Sequence, residues 1–367
     1  MVLRFALAGL MLWPLFACND DPEDGFPPDK EDAARAVVDD AVYWDGDVCA
    51  VREWYDDGAC DWFCPEPDPD CAGQALGPDP AGRAARYPIV LMHGFNAGRE
   101  GAWSFYRVEN ALRGDGHTVY TAEVPPFASV AERAQALAPQ IERLLRETGA
   151  AKVNLLAHSM GGLDARYYTR VLRPDAVASV TTISTPHRGS RVADAGLGLI
   201  PGIADDAIDF FAVLWGRTFN EVAEDADVRA ALTALSSDEA ERFNAEVGDV
   251  DGVDYESWAG VSSVLGIVNP LDRGACENMM LGDGESADRM NAQLVAGAAL
   301  LAGARFTPND GMSTVDAAKW GRFRGCIPAD HFDEVGQPER ERPDPHTGFD
   351  HVRFYRNLAF DLSARGH

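Results

Sequence analysis

One stretch, Val153-Asn154-Leu155-Leu156-Ala157-His158-Ser159-Met160-Gly161-Gly162, constrains this chain more than any other. A short apolar run feeds Ser159, small residues flank it, and a helical pattern begins at Leu163. A strand that turns this sharply into a helix lifts its serine off the edge of a sheet and leaves no room for bulky neighbours. The chemistry such a serine implies is acyl transfer through a serine ester. Ala157 stands where the first glycine of the pattern usually falls, so the motif is A-x-S-x-G.

Apolar runs alternate with helical periodicity around this turn. Pro88 to Met92 is continuously apolar, as expected of a parallel strand buried on both faces. His117 to Val124 and Ala178 to Ile183 read as further strands. Val130 to Glu147 places Ala134, Leu137, Ile141, Leu144 and Leu145 on one helical face. Strands alternating with helices predict an α/β chain with a mostly parallel sheet covered on both faces.

An acyl-transfer site needs a nucleophile, a base, an orienting acid and donors for an oxyanion. With Ser159 as nucleophile, one donor is the N–H of Met160. The second is expected from the loop His93-Gly94-Phe95, with Phe95 N–H as the donor and His93 shaping the loop rather than acting as base. The order serine, acid, histidine places the acid late in the chain. Asp310, in Pro308-Asn309-Asp310-Gly311 after an expected strand end at Ala304-Arg305-Phe306, is the first choice, and Asp316 is the reserve. Downstream lie His331, His346, His351 and His367. His331 is preferred as base; His351, just ahead of a helical stretch from Arg353 to Leu362, reads as a structural cap.

Several segments together resemble bacterial triacylglycerol lipases of the Pseudomonas–Burkholderia type, members of the α/β-hydrolase superfamily. They are Tyr87 to Phe95, Ala157 to Gly162, Ser184 to Ser190, Leu235 to Asn244, Tyr255 to Gly260, Asn309 to Gly311 and His331 to Gln337. The resemblance runs from about residue 87 to the end. It implies hydrolysis of lipid esters by Ser159, His331 and Asp310, and it leaves room for a foldase partner. It also implies one structural Ca2+, held by the carboxylates of Asp288 and Asp333 and by backbone carbonyls at Gln337 and Glu341. Oxygen ligands of this kind suit calcium, and such an ion would pin the loop that carries His331. A helical lid is expected at about 195–230, with a permanently packed cap helix as the alternative. Within 199–217, Ile203, Ala207, Phe210, Phe211 and Leu214 share one face, and Asp205, Asp206 and Asp209 lie on much of the other.

Residues 1–18 read as an export signal. Arg4 precedes an apolar run that ends Leu15-Phe16-Ala17-Cys18, a lipobox-like close that would place lipid on Cys18. The expected location is the cell envelope, as a lipoprotein anchored through Cys18, or the exterior. Seven cysteines fit this: with Cys18 lipidated, six remain for pairing in an oxidising compartment. Two bridges among Cys49, Cys60, Cys64 and Cys71 and one between Cys276 and Cys326 form the simplest partition. The expected organisation is a signal (1–18), an acidic tether (19–44), a small Cys-rich module (45–71), a linker (72–86) and the catalytic domain (87–367). A net charge of −27, from 59 acidic against 32 basic residues, repels phosphate backbones and argues against nucleic acid as partner. Two alternatives stay open at this level: a short-chain esterase, phospholipase or polyester hydrolase on the same triad, and an anchored binding or scaffold protein.

Overall fold

The computed structural model describes residues 48–53, 55, 76–95, 105–200, 226–282, 284–336, 343–344 and 346–367. Two compact units divide the chain, Met1–Cys71 and Ala72–His367. Of the first unit, one helical turn, Val48–Val51, and a few neighbouring residues are described. The export signal, Cys18, the tether and most of the Cys-rich module lie outside the described residues.

The second unit is built on six parallel strands: β1 (Ile89–Met92), β2 (Val119–Thr121), β3 (Val153–His158), β4 (Val177–Ile183), β5 (Asp254–Gly260) and β6 (Arg322–Ile327). Their order in the sheet is β2-β1-β3-β4-β5-β6. Every residue of β1, β3 and β4 is buried, which is why these strands read as near-continuous apolar runs. Side chains alternate between faces. On one face, Val90, Met92, Leu155 and Val180 pack with Ala134, Leu137 and Ile141 of helix α2 (Val130–Thr148). On the other, Ile89, Leu91, Leu156 and Ile183 meet Leu112 of α1 (Val108–Gly114) together with Phe354 and Leu358 of the C-terminal helix. Each large apolar side chain so buried contributes roughly 1.5–3 kcal/mol. Helix α2 starts on a capping box, with Ser129 Oγ accepting from Glu132 N–H at 3.3 Å and Glu132 Oε2 accepting from Ser129 N–H at 3.1 Å. It ends on Gly149 in the left-handed region, φ 68°.

Strand order reverses between β1 and β3, since β1 has β2 on its other side. In open parallel sheets the crevice outside the carboxyl ends at such a reversal is the natural ligand position. The loop after β1 (His93 to Phe95) and the turn after β3 (Ser159) flank that crevice. Helix α3 (Gly161–Tyr167) follows the turn and runs into a wider helical turn, Tyr168–Leu172. Helices α4 (Arg191–Gly196), α5 (Ala226–Ala234) and α6 (Ser237–Glu246) then cover this end. Val192, Val228, Ala231 and Leu232 are buried there against Met160 and Leu163. Residues 201–225, the centre of the expected lid, lie outside the described residues.

Two local expectations are corrected. The segment before Asp310 is not a strand end. Val295–Ala302 forms helix α7, followed by a 3-10 turn, Gly303–Arg305, and Phe306 at φ 51°. The apolar run there is helical because it buries Gly297, Ala298 and Leu301 on one side, which a period-2 strand could not do. Residues 76–86, expected as linker, are strapped to helix α8 (His351–Ala364). Arg353 Nη2 donates to Gly77 O at 2.9 Å and to Asp79 at 2.6 Å, Asn357 Nδ2 donates to Pro78 O at 3.1 Å, and Ser363 Oγ donates to Ala84 O at 3.1 Å. A composition rich in Gly, Pro and Ala is equally suited to an extended strap whose backbone polar groups are satisfied by another element.

Candidate active site

Ser159 adopts φ 56°, a left-handed conformation that a non-glycine residue enters only when its surroundings impose it, at about 1–3 kcal/mol. The surroundings are visible. Ser159 N–H donates to Ile183 O at 2.9 Å, and Ser159 O accepts from Gly162 N–H at 3.0 Å and from Thr185 Oγ1 at 2.6 Å. A Cβ on Gly161 would stand 2.5 Å from Met92 O, so only glycine fits there. A Cβ on Gly94 would meet Ser159 Cβ at 2.6 Å, so the loop after β1 lies directly on Ser159. Ala157 is fully buried in the sheet core, where a methyl group is accommodated.

His331 Nδ1 and Asp310 Oδ2 are 2.8 Å apart, both side chains buried. Asp310 Oδ1 accepts from Met312 N–H at 2.8 Å and Ser313 N–H at 2.6 Å, and Asp310 O accepts from His331 N–H at 3.0 Å. Burial by itself would raise the Asp310 carboxyl. The adjacent His331, its hydrogen bond, and the two backbone N–H groups outweigh that and hold it below its ordinary value. Ser159, His331 and Phe95 line one pocket, whose remaining wall is largely apolar, with Pro186, Val192, Leu232, Leu235 and Met312. The other candidates lie elsewhere. His351 Nε2 pairs with Tyr106 O at 2.9 Å at the start of α8, and Asp316 is exposed and pairs with Lys319 at 3.2 Å. His93 Nδ1 contacts Gly94 O at 3.2 Å; burial, then the Arg133 charge, lower its pKa to about 4, so it is neutral and shapes the loop.

Sequence reasoning missed a second polar layer behind His331. Glu334 is fully buried. Its Oε2 lies 2.9 Å from His158 Nε2, and its Oε1 accepts from Ser184 Oγ at 2.5 Å. Ser184 Oγ in turn accepts from Gly260 N–H at 2.9 Å. Burial, then the charge of Asp310, raise the Glu334 carboxyl well above its ordinary value. The His158 ring leans on His331 with centroids 4.5 Å apart. One side chain thus ties the loop that carries His331 to the turn at Ser159 and to the ends of β4 and β5. The sequence carried a faint sign of it: Glu334 stands three residues after His331, which one 3-10 turn, Asp333–Val335, brings back to the same side.

Asp288, Asp330 and Asp333 bring ligand-type oxygens within 4.8 Å of one another. Asp288 is 2% exposed, and among the described residues its Oδ2 has no hydrogen-bond partner. Burial, then the charge of Asp330, push its carboxyl up to about 7. Burial also raises Asp330 to about 6, although its oxygens accept N–H groups from Asn291, Phe332 and Asp333. An orphaned carboxylate oxygen in a buried acidic cluster is costly unless a cation neutralises it, so the donor set fits a hard divalent ion. Asp330 was not anticipated; Gln337 and Glu341 lie outside the described residues. The Cys276–Cys326 pairing is present, with Cα atoms 5.5 Å apart.

The strand order, the nucleophile turn at the reversal point and the buried histidine–aspartate pair define a serine ester hydrolase of the α/β-hydrolase fold. The family model for the alpha/beta hydrolase fold matches residues 87–240. Among relatives, a triacylglycerol lipase of Vibrio cholerae is 38% identical over 51% of this chain and 66% of its own length. One from Burkholderia plantarii is 29% identical over 72% of this chain and 85% of its own. One from Pseudarthrobacter phenanthrenivorans is 30% identical over 69% of this chain and 90% of its own. The solved structure of lipase 1 from Pelosinus fermentans shares the fold at a TM-score of 0.52 and 20% identity, covering 76% of this chain and 99% of the other. The chain belongs to the bacterial triacylglycerol lipases.

Proposed function

We propose that this lipid ester hydrolase cleaves triacylglycerols with Ser159 as nucleophile, His331 as base and Asp310 as orienting acid. The observation that carries the assignment is the 2.8 Å contact of Asp310 with His331 Nδ1 at a pocket shared with Ser159. With the Nδ1 proton donated to Asp310, Nε2 keeps its lone pair for the Ser159 proton. Ser159 Oγ attacks the ester carbonyl carbon as its proton moves to His331. Phe95 and Met160 N–H groups hold the oxyanion, and His331 passes the proton to the departing alcohol. Water, activated by the same imidazole, then releases the fatty acid and regenerates Ser159. The apolar wall of the pocket suits an acyl chain; a lid over 199–217, as its sequence pattern suggests, would present its apolar face to a lipid surface when open.

A structural Ca2+ belongs to the same proposal. Asp288 and Asp333 would hold it, with Asp330 beside them and carbonyls at Gln337 and Glu341 completing the set. The ion would supply fixed positive charge that anchors the base loop, and no chemical step passes through it. Export and anchoring through a lipidated Cys18 rest on the sequence of residues 1–18, and a foldase partner on the family resemblance.

The test compares wild type with Ser159→Ala on emulsified long-chain triacylglycerol and on a soluble short-chain ester. Wild type should hydrolyse the emulsion and be labelled by a fluorophosphonate probe, and the variant should do neither while staying folded. Esterase activity in pure, folded Ser159→Ala would overturn the nucleophile. Activity on the short ester alone would move the substrate to soluble esters.

A further inference from the structure

Two oxyanion donors on different elements must reach one oxygen, Phe95 N–H from the loop after β1 and Met160 N–H from the start of α3. Such donors are effective only when held to within a fraction of an ångström. We propose that Arg133, itself held by Asp164, is the positioning residue that orients and polarises the oxyanion peptide Gly94–Phe95; this rests on the hydrolase assignment above.

Arg133 sits in the first turn of α2 and is fully buried. All three guanidinium nitrogens are used. Nη2 donates to His93 O at 2.9 Å and to Gly94 O at 3.2 Å, Nη1 donates to Pro125 O at 2.5 Å, and Nε donates to Asp164 Oδ2 at 2.8 Å. Gly94 O belongs to the same peptide unit as Phe95 N–H. In a trans peptide the C=O and N–H point in opposite directions, so gripping the oxygen from the α2 side turns the N–H away from Arg133. The backbone of Gly94 lies against Ser159. The gripped peptide is therefore the one that faces the reacting atoms. His93 Nδ1, also 3.2 Å from Gly94 O, adds a second donor to it. A cation on the carbonyl draws electron density through the peptide and makes its N–H a stronger donor.

Asp164 supplies the other half of the link. It lies in the first turn of α3, and its N–H donates to Met160 O at 3.3 Å. The Arg133–Asp164 pair, with both side chains fully buried, thus joins the turn that carries Met160 to the loop that carries Phe95. A buried ion pair gives little net stability over an apolar replacement of similar shape, so its value here lies in geometry and field.

The experiment uses the full chain with Arg133→Met and Asp164→Asn combined, so that neither charge is left buried alone. Folded protein is confirmed by circular dichroism, and active sites are counted by fluorophosphonate titration. Per titrated site, kcat on a soluble ester should fall about 100-fold with KM within about threefold of wild type, the scale of losing one oxyanion donor. Affinity for a boronic acid that forms a tetrahedral adduct on Ser159 should fall by a similar factor, and Arg133→Lys with Asp164 intact should recover part of both. Per-site kcat and boronate affinity within threefold of wild type would overturn the proposal, as would a loss of activity that lies only in the number of titratable sites. If the double variant does not fold, Arg133→Lys carries the test: it keeps the charge pair but loses the fork, and unchanged per-site kcat overturns the proposal. A wild type that neither labels nor hydrolyses would instead defeat the hydrolase assignment.

Discussion

Replacing Cys276 and Cys326 together by alanine should cost this protein about 4 kcal/mol of stability. The bridge closes 50 residues, and both cysteines are fully buried among Ala259, Val261, Val315 and Ala318. Releasing such a loop in the unfolded chain restores about 14 cal/mol/K of entropy, or about 4 kcal/mol at 25 °C. That is about a thousandfold in the folded-to-unfolded ratio. Alanine is preferred to serine because a hydroxyl in this apolar cluster would lack a partner. Urea unfolding of the two proteins, followed by tryptophan fluorescence, gives the difference directly. The closed loop carries both Asp288 and Asp310, yet Asp310 is also held by Met312, Ser313 and His331. Turnover of the folded variant at 20 °C should therefore stay within a few-fold of wild type. A stability loss below about 1 kcal/mol would refute the loop-entropy account. A dead but folded variant would show that the bridge, not the local hydrogen bonds, places the acid.

Two further outcomes are expected. Because the Asp310 carboxyl is held below its unfolded value, its contribution to stability is present above about pH 4 and is lost as pH falls through the lowered value. Denaturation midpoints at pH 5 and pH 3 should then differ less in Asp310→Asn than in wild type, and equal differences would exclude this role. For the ion, EDTA should lower the melting temperature of wild type, calcium should restore it, and Asp288→Asn should lose that response. A melting temperature indifferent to EDTA, with no ion by metal analysis, would remove calcium.

How far residues could be read in isolation depended on how local their causes were. The runs Ile89–Met92, Val153–His158 and Val177–Ile183 announced buried parallel strands because burial on both faces demands unbroken apolar sequence. β5 was not read as a strand: Glu256 lies in its middle, and three arginines brought from β6 and the C-terminal end pair with it. The nucleophile turn was legible for a similar reason: small residues around Ser159 answer a steric demand within a few positions. Preferring His331 to His351 from the residues leaned on resemblance, whereas the fold separates the two by their contacts. One imidazole meets Asp310, and the other is occupied by Tyr106 O in a distant turn. Glu334 and Arg133 looked like two charges among many until folding buried them against the triad and the oxyanion loop. Sequence alone therefore determined the first four strands, the serine turn and the class of chemistry, all set by short-range sterics and patterning. Only the tertiary structure brings Asp310, His331, Glu334 and Arg133 together around Ser159, because these residues lie tens to hundreds of positions apart and meet only when the sheet closes around them.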